Sequence, residues 1–132
     1  MEKQKKVIDA SVILKWFSKE IDSDKALKLK ESHLSKEFIL ITPEFLILEI
    51  MNALRYKKID EPNLFKANKA LWEIQLHVEH TNSFLLEKTI SLSLKHNLSI
   101  YDAVYAALAQ LHGCQLVTVD EKLSKLPQAK LL

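Results

Sequence analysis

Between Ser99 and Asp120 the chain reads SIYDAVYAALAQLHGCQLVTVD, and this stretch limits the possible fold more than any other. Ser99 stands three residues before Asp102 at the head of an apolar run, the pattern of a helix that opens on a capping serine with an acid in its first turn. Ala103, Ala106, Ala107 and Ala109 keep that helix slim enough to lie close against a sheet. Gly113, the only glycine in the chain, falls where a helix ends on a left-handed residue. Gln115–Val119 is then a short run with β-branched residues, and Asp120 ends it. In an open parallel sheet, ligands bind in the crevice beyond the carboxyl ends of the strands. Asp120 lies at such an end, and Asp102 is within reach of the same crevice.

The rest of the chain alternates in the same way. Lys6–Asp9 reads as a strand ending in Asp9, followed at once by the helix-like SVILKWF. A break near Ile21–Asp24 precedes a helix from Asp24 to Leu34. Phe38–Ile41 is a continuous apolar run, as in a strand covered on both faces. Thr42–Pro43–Glu44 has the composition of a helix start, with a capping threonine, proline at the first position and an acid in the first turn. That helix is expected to run to about Lys58. Asp60–Glu61–Pro62 opens another, to about Glu73, and Leu76–His80 reads as a third strand. Asn82–Ser83 caps a helix ending near His96–Asn97. After Asp120–Glu121 a short helix reaches Leu126, Pro127 stops it, and Ala129–Leu132 reads as an edge strand. This order predicts one domain over residues 1–132: a three-layer α/β/α sandwich with a twisted parallel sheet of four to five strands.

Composition excludes several classes. A chain of 132 residues with 48% apolar residues buries a core of its own. No apolar run approaches the roughly 20 residues of a membrane span. The basic start MEKQKK leads into an apolar stretch broken by Asp9 and Lys15, which does not read as a signal peptide, so a cytoplasmic location is expected. The single Cys114 forms no internal disulfide and reads as a small buried hydrophobe. One glycine excludes the glycine-rich phosphate loops. One cysteine and five scattered histidines argue against a structural zinc site. His77 and His80 fall in a strand, where residues three apart point to opposite faces.

The acids are the informative residues. Asp9 and Asp120 end two strands, and Asp102 opens a helix. In FLILEIMNAL, within the helix after Pro43, Ile47, Ile50, Met51 and Leu54 face one way. Glu49 falls at the border of that stripe, on the side of Asn52 and Tyr56. A carboxylate there is costly unless it is paired or bound to metal. Each acid also has a plain structural role open to it: Asp9 and Asp120 as helix caps, Asp102 as a capping-box acid, Glu49 as a solvated border residue. Together they would gather negative charge in one crevice with no basic partner beside any of them. Like charges at close range do not all stay ionised without a cation, and an oxygen-only cluster suits Mg²⁺ or Mn²⁺.

The stretches VIDASVILKWF (7–17), TPEFLILEIMNAL (42–54), SIYDAVYAALA (99–109) and LVTVDEKL (116–123) also resemble the PIN domain. The resemblance is strongest to the small VapC-type toxin ribonucleases of bacterial and archaeal toxin–antitoxin pairs. The four stretches come in the family's order and span nearly the whole chain. The resemblance implies a sheet in the order third–second–first–fourth–fifth strand. It implies a divalent-metal site of Asp9, Glu49, Asp102 and Asp120, supported by Ser11, Asn52 and Thr118. Leu123 departs from the phenylalanine common in relatives, which alters packing behind Asp120 rather than the chemistry. The third strand and the helices 24–34 and 60–73 match only in pattern.

The activity implied is hydrolysis of RNA phosphodiester bonds by an Mg²⁺- or Mn²⁺-dependent endoribonuclease, leaving 5′-phosphate and 3′-hydroxyl ends. The implied partners are RNA, a cognate antitoxin and a second copy of the chain, with no membrane. Trp16, Phe17 and Phe65 are the apolar residues expected at an interface. Charge agrees with an RNA substrate. Setting the four acids aside leaves 13 acidic against 19 basic residues, or +6; Lys15 and Lys19 follow the first strand, and Arg55, Lys57 and Lys58 end the helix of Glu49. A receiver-like domain is disfavoured because HVEHTN (77–82) offers no phospho-acceptor aspartate after the third strand. An Asp-x-Asp phosphatase is disfavoured because the second residue after Asp9 is Ser11. The remaining alternative is a non-catalytic PIN-like module that binds RNA or protein.

Overall fold

The strands β1 (Gln4–Ile8), β2 (Phe38–Pro43), β3 (His77–Glu79), β4 (Gln115–Thr118) and β5 (Ala129–Leu131) form one sheet in the order β3-β2-β1-β4-β5. Every neighbouring pair is parallel. This computed structural model describes residues 4–132. The helices are α1 (Ala10–Leu14), α2 (Ser23–Leu34), α3 (Leu46–Tyr56), α4 (Glu61–Ile74), α5 (Ser83–His96), α6 (Ile100–His112) and α7 (Glu121–Ser124). Crossovers between parallel strands are right-handed. The chain steps outward from β1 to β3 and then returns past β1 to β4, so α1–α4 cover one face and α5–α6 the other. The strand order therefore reverses between β1 and β4, and a crevice opens there at the carboxyl ends.

The core explains why these elements form. Val7, Ile8, Leu40, Ile41, Leu116 and Val117 are buried at the centre of the sheet, because a parallel sheet is covered on both faces. The helix before β4 is as slim as its alanines predict, and Ala103 through Ala109 are all buried. Ser99 accepts the Asp102 N–H at 3.0 Å, and Gly113 closes the helix at φ 61°. Asp60 and Asn82 cap α4 and α5 through the N–H groups of Asn63 and Leu85.

Three expectations are corrected. Thr42–Pro43–Glu44 does not start a helix. β2 continues through Pro43, in register with Glu79 of β3, and α3 begins at Leu46 after Phe45, without a side-chain cap. Pro43 is tolerated because it ends its strand, where a missing N–H removes little pairing. Glu44 instead accepts the Thr81 N–H at 3.0 Å and meets His80 Nδ1 at 2.9 Å, which ties the end of β2 to the loop after β3. The helix expected over SVILKWF stops at Leu14. Beyond it Trp16 and Phe17 are half-buried against the core, with Trp16 Nε1 donating to the Ala26 carbonyl at 2.7 Å. Both pack on the core rather than standing exposed, whereas Phe65 is 65% exposed. Cys114 is half-buried, and burial pushes its thiol up.

Candidate active site

Asp9 is the residue on which the crevice is built. It follows β1 directly and is only 5% exposed. Its N–H reaches the Val117 carbonyl of β4 at 3.4 Å, which fixes it beside the reversal point. The Ser11 hydroxyl donates to Oδ1 and the Thr118 hydroxyl donates to Oδ2. The Val12 N–H also reaches Oδ1, at 3.4 Å, so Asp9 caps α1. Burial pushes the Asp9 carboxyl above the ordinary value of 3.8, and these donors only partly oppose it.

The same hydroxyls connect Asp9 to the end of β4. Thr118 Oγ1 accepts the Asp120 N–H at 3.0 Å, and Ser11 Oγ accepts the Val119 N–H at 3.4 Å. Asp120 itself is exposed and caps α7, with Oδ1 accepting from Lys122 N at 2.8 Å and Leu123 N at 3.2 Å. The capping roles of Asp9 and Asp120 are therefore real, and they hold the carboxylates at the crevice.

Glu49 and Asp102 come from opposite layers. Glu49 lies on α3, half-buried, and its Oε1 accepts the Tyr105 hydroxyl of α6 at 2.8 Å. Burial pushes the Glu49 carboxyl up, and the negative charges of Asp102 and Asp9 push it further in the same direction, against the Tyr105 hydrogen bond. Asp9, Glu49 and Asp102 therefore share one electrostatic environment. None of the ion pairs among the described residues involves any of the four acids.

Tyr105 was not foreseen. It is buried, and its hydroxyl is pushed far up by burial and then by the charge of Glu49, so it stays a proton donor. Its ring meets Phe45 edge-on at 5.9 Å, and Phe45 meets Tyr101 at 5.6 Å. The available signal was its position one helical turn after Asp102. Asn52 is exposed on α3, and no hydrogen bond among the described residues uses it. The basic residues after β1 and at the end of α3 are partly engaged. Lys15 and Lys57 both pair with Glu20, at 3.5 and 2.9 Å, whereas Lys19, Arg55 and Lys58 are exposed.

Among the described residues, no group of three or more His, Cys, Asp or Glu side chains is arranged to hold a metal ion. Mg²⁺ keeps several waters and binds through one or two carboxylates plus substrate phosphate. The donors are all hard oxygens, and one of them is a buried carboxylate with no cation opposite, so the residues present fit such an ion.

Fold and crevice together define a parallel α/β domain with acids at its topological switch point. The PIN domain family matches residues 6–129, and the chain belongs to that family. It is 31% identical to ribonuclease VapC3 of Pyrobaculum aerophilum over 126 residues, covering 92% of this chain and 93% of that protein. Solved structures with the same fold include VapC20 of Mycobacterium tuberculosis, a sarcin–ricin loop cleaving toxin. It has a TM-score of 0.70 at 20% identity, covering 90% of this chain and 92% of that one. A toxin–antitoxin complex from Klebsiella pneumoniae gives 0.71 at 17% identity, with 93% of each chain covered.

Proposed function

We propose that this chain is a divalent-metal-dependent endoribonuclease and the toxin of a toxin–antitoxin pair. Asp9, Glu49, Asp102 and Asp120 would form its catalytic centre. The observation that carries the reading is the shared charge at the crevice: Glu49 is raised by burial and further by the charges of Asp102 and Asp9, with no basic side chain paired to any of the four acids among the described residues. The relative named a ribonuclease, 31% identical over 92% of this chain, supports the reaction class. Mg²⁺ or Mn²⁺ is the cofactor that fits the donors.

Bound there, the ion would supply charge stabilisation for a phosphodiester and a water acidic enough to ionise near neutral pH. The chain's own residues prepare that chemistry. Asp9 would hold the ion, because its two hydroxyl donors fix both carboxylate oxygens in place. Asp102 and Asp120 would complete the oxygen set, Asp120 through the oxygen its cap leaves unused. Glu49 is the group suited to take a proton. Its raised carboxyl is a stronger base than an ordinary glutamate, and Tyr105 occupies only one of its oxygens. Ser11 and Thr118 act through Asp9 as positioning residues.

The partners proposed are RNA, an antitoxin protein and a second copy of the chain. The Klebsiella pneumoniae complex and a Rickettsia felis assembly, VapBC2 bound to a DNA fragment from its promoter, support an antitoxin. No helix among the described residues is long and apolar enough to cross a membrane, and the cytoplasm is the location proposed. The test is incubation of the purified chain with single-stranded RNA and Mn²⁺, followed by analysis of the product ends. Products with 5′-phosphate and 3′-hydroxyl ends are expected, and cyclic phosphate ends would overturn the hydrolytic mechanism.

A further inference from the structure

Among the described residues, the exposed aromatic side chains are Tyr56, Phe65, Trp72, Phe84 and Tyr101. Only Tyr101 adjoins one of the four acids, Asp102, in the chain. It is 66% exposed, in the first turn of α6. α3 follows β2 and α6 leads into β4, so both helices start at the carboxyl edge of the parallel sheet. Phe45 stands immediately before α3. Glu49 and Tyr105 are each four residues further along, about 6 Å deeper on their helices. Tyr101 and Tyr105, four apart, share one side of α6, and the Phe45 ring meets both. The Phe45–Tyr101 pair therefore lies at the mouth of the crevice, one turn outside the Glu49–Tyr105 hydrogen bond.

Resting on the reading of the chain as a ribonuclease, we infer that Tyr101 is the platform on which the base of a nucleotide flanking the scissile phosphate stacks. Phe45 is half-buried against the core and holds the Tyr101 ring edge-on, with centroids 5.6 Å apart and planes at 86°. An edge-on contact covers at most one face of the tyrosine ring. The other face stays open to solvent beside Asp102. Every base has a π-face, and an exposed aromatic ring holds an unpaired base with little regard to its identity. With the phosphate drawn to an ion that Asp102 helps to hold, the neighbouring side chain is placed to take the attached base. The stacked base fixes the position of the strand along the crevice. The ring makes this contact, and the hydroxyl is not needed for it. Tyr101 is thus a positioning residue for the substrate, with no part in proton transfer or ion binding.

The test is steady-state cleavage of a single-stranded RNA oligonucleotide with Mn²⁺, read as KM and kcat separately. Tyr101→Ala should raise KM about 5- to 150-fold, the loss of one base stack. It should leave kcat within about twofold, because a contact made equally before and during the reaction affects binding alone. Tyr101→Phe and Tyr101→Trp should keep the wild-type KM. Tyr101→Leu, apolar but without a π-face, should behave like Tyr101→Ala, and it stands in should the alanine variant fail to fold. RNA with an abasic residue on one side of the cut should show the same rise in KM with the wild type, and no further rise with Tyr101→Ala, as two halves of one contact require. Sedimentation should give every variant the oligomeric state of the wild type. A wild-type KM in Tyr101→Ala, a loss confined to kcat, or a loss that adds fully to that of either abasic substrate would overturn the platform and leave the ribonuclease standing. An unchanged KM with an altered oligomeric state would make Tyr101 a protein contact instead. A wild type that cleaves no RNA would overturn both.

Discussion

Replacing Asp9 by Asn separates a metal ligand from a helix cap, and the structure fixes the sign of each effect. Asp9 is buried, and its ionised form is disfavoured there. The amide removes that charge but changes the hydrogen bonding. Both Asp9 oxygens accept from hydroxyls, so the amide NH₂ must face one of those donors. The Thr118 or Ser11 hydroxyl can turn and accept from it, at the loss of about one neutral hydrogen bond, roughly 0.5–1.5 kcal/mol. Relief of a buried charge without an ionic partner is worth at least as much. In EDTA at neutral pH the variant should therefore melt at the same temperature as the wild type or higher, by up to about 3–5 °C.

The pH dependence has a definite sign. A raised carboxyl contributes stability that is complete below the unfolded value and lost as pH rises through the folded one. The wild type's deficit relative to Asp9→Asn should thus be widest at neutral pH. It should close as the pH falls through the raised Asp9 value toward 3.8. Mg²⁺ should act the other way. At about ten times its Kd it adds roughly 1.4 kcal/mol to the wild type and little to the variant. The assay is a set of thermal melts across pH, with EDTA and with Mg²⁺. A variant that melts several degrees lower than the wild type in EDTA at neutral pH, and gains as much from Mg²⁺, would refute the reasoning.

Asp120 tests the cap in another way. Asp120→Asn should keep the stability of α7, because Asn caps as well as Asp, whereas Asp120→Ala should lose about 0.5–2 kcal/mol; both should abolish RNA cleavage, as denaturant melts and a gel assay would show. Tyr105→Phe removes the donor that opposes the rise of Glu49, so the acidic limb of the pH–rate profile should move to higher pH; an unchanged limb would remove Glu49 from the proton transfer. His33 joins three elements, with Nδ1 accepting from Leu40 N at 3.0 Å and Nε2 bonded to the Ile74 carbonyl at 3.1 Å. His33→Leu should cost about 1–3 kcal/mol by leaving those buried groups unpaired, read by urea denaturation, with cleavage by the folded protein retained.

Local chemistry decided what the sequence could reveal. Ser99, the alanines and Gly113 specify α6 and its end by short-range rules, and the run Gln115–Val119 leads straight into β4, so both were legible together with Asp102 and Asp120. Asp9 was legible because it follows an apolar strand at once. Thr42–Pro43–Glu44 misled because it obeys the same capping rules, while pairing with β3 and the contacts of Glu44 to Thr81 and His80 extended the strand instead. Trp16 and Phe17 looked exposed only while the first helix was taken to continue beyond Leu14. Tyr105 could not be assigned from sequence, since its partner Glu49 is 56 residues away and the pair forms only when α3 and α6 meet over the sheet.

The central claim is that the four carboxylates act together on RNA through a bound ion. Its most direct test is the rate of RNA cleavage by the wild type and by Asp9→Asn, Glu49→Gln, Asp102→Asn and Asp120→Asn across a Mn²⁺ titration, with EDTA as the zero point. Cleavage that saturates with Mn²⁺ in the wild type, vanishes in EDTA and falls at least a hundredfold in each folded aspartate variant is the result predicted here. Wild-type cleavage that persists in EDTA, or aspartate variants that cleave like the wild type at every Mn²⁺ concentration, would contradict it.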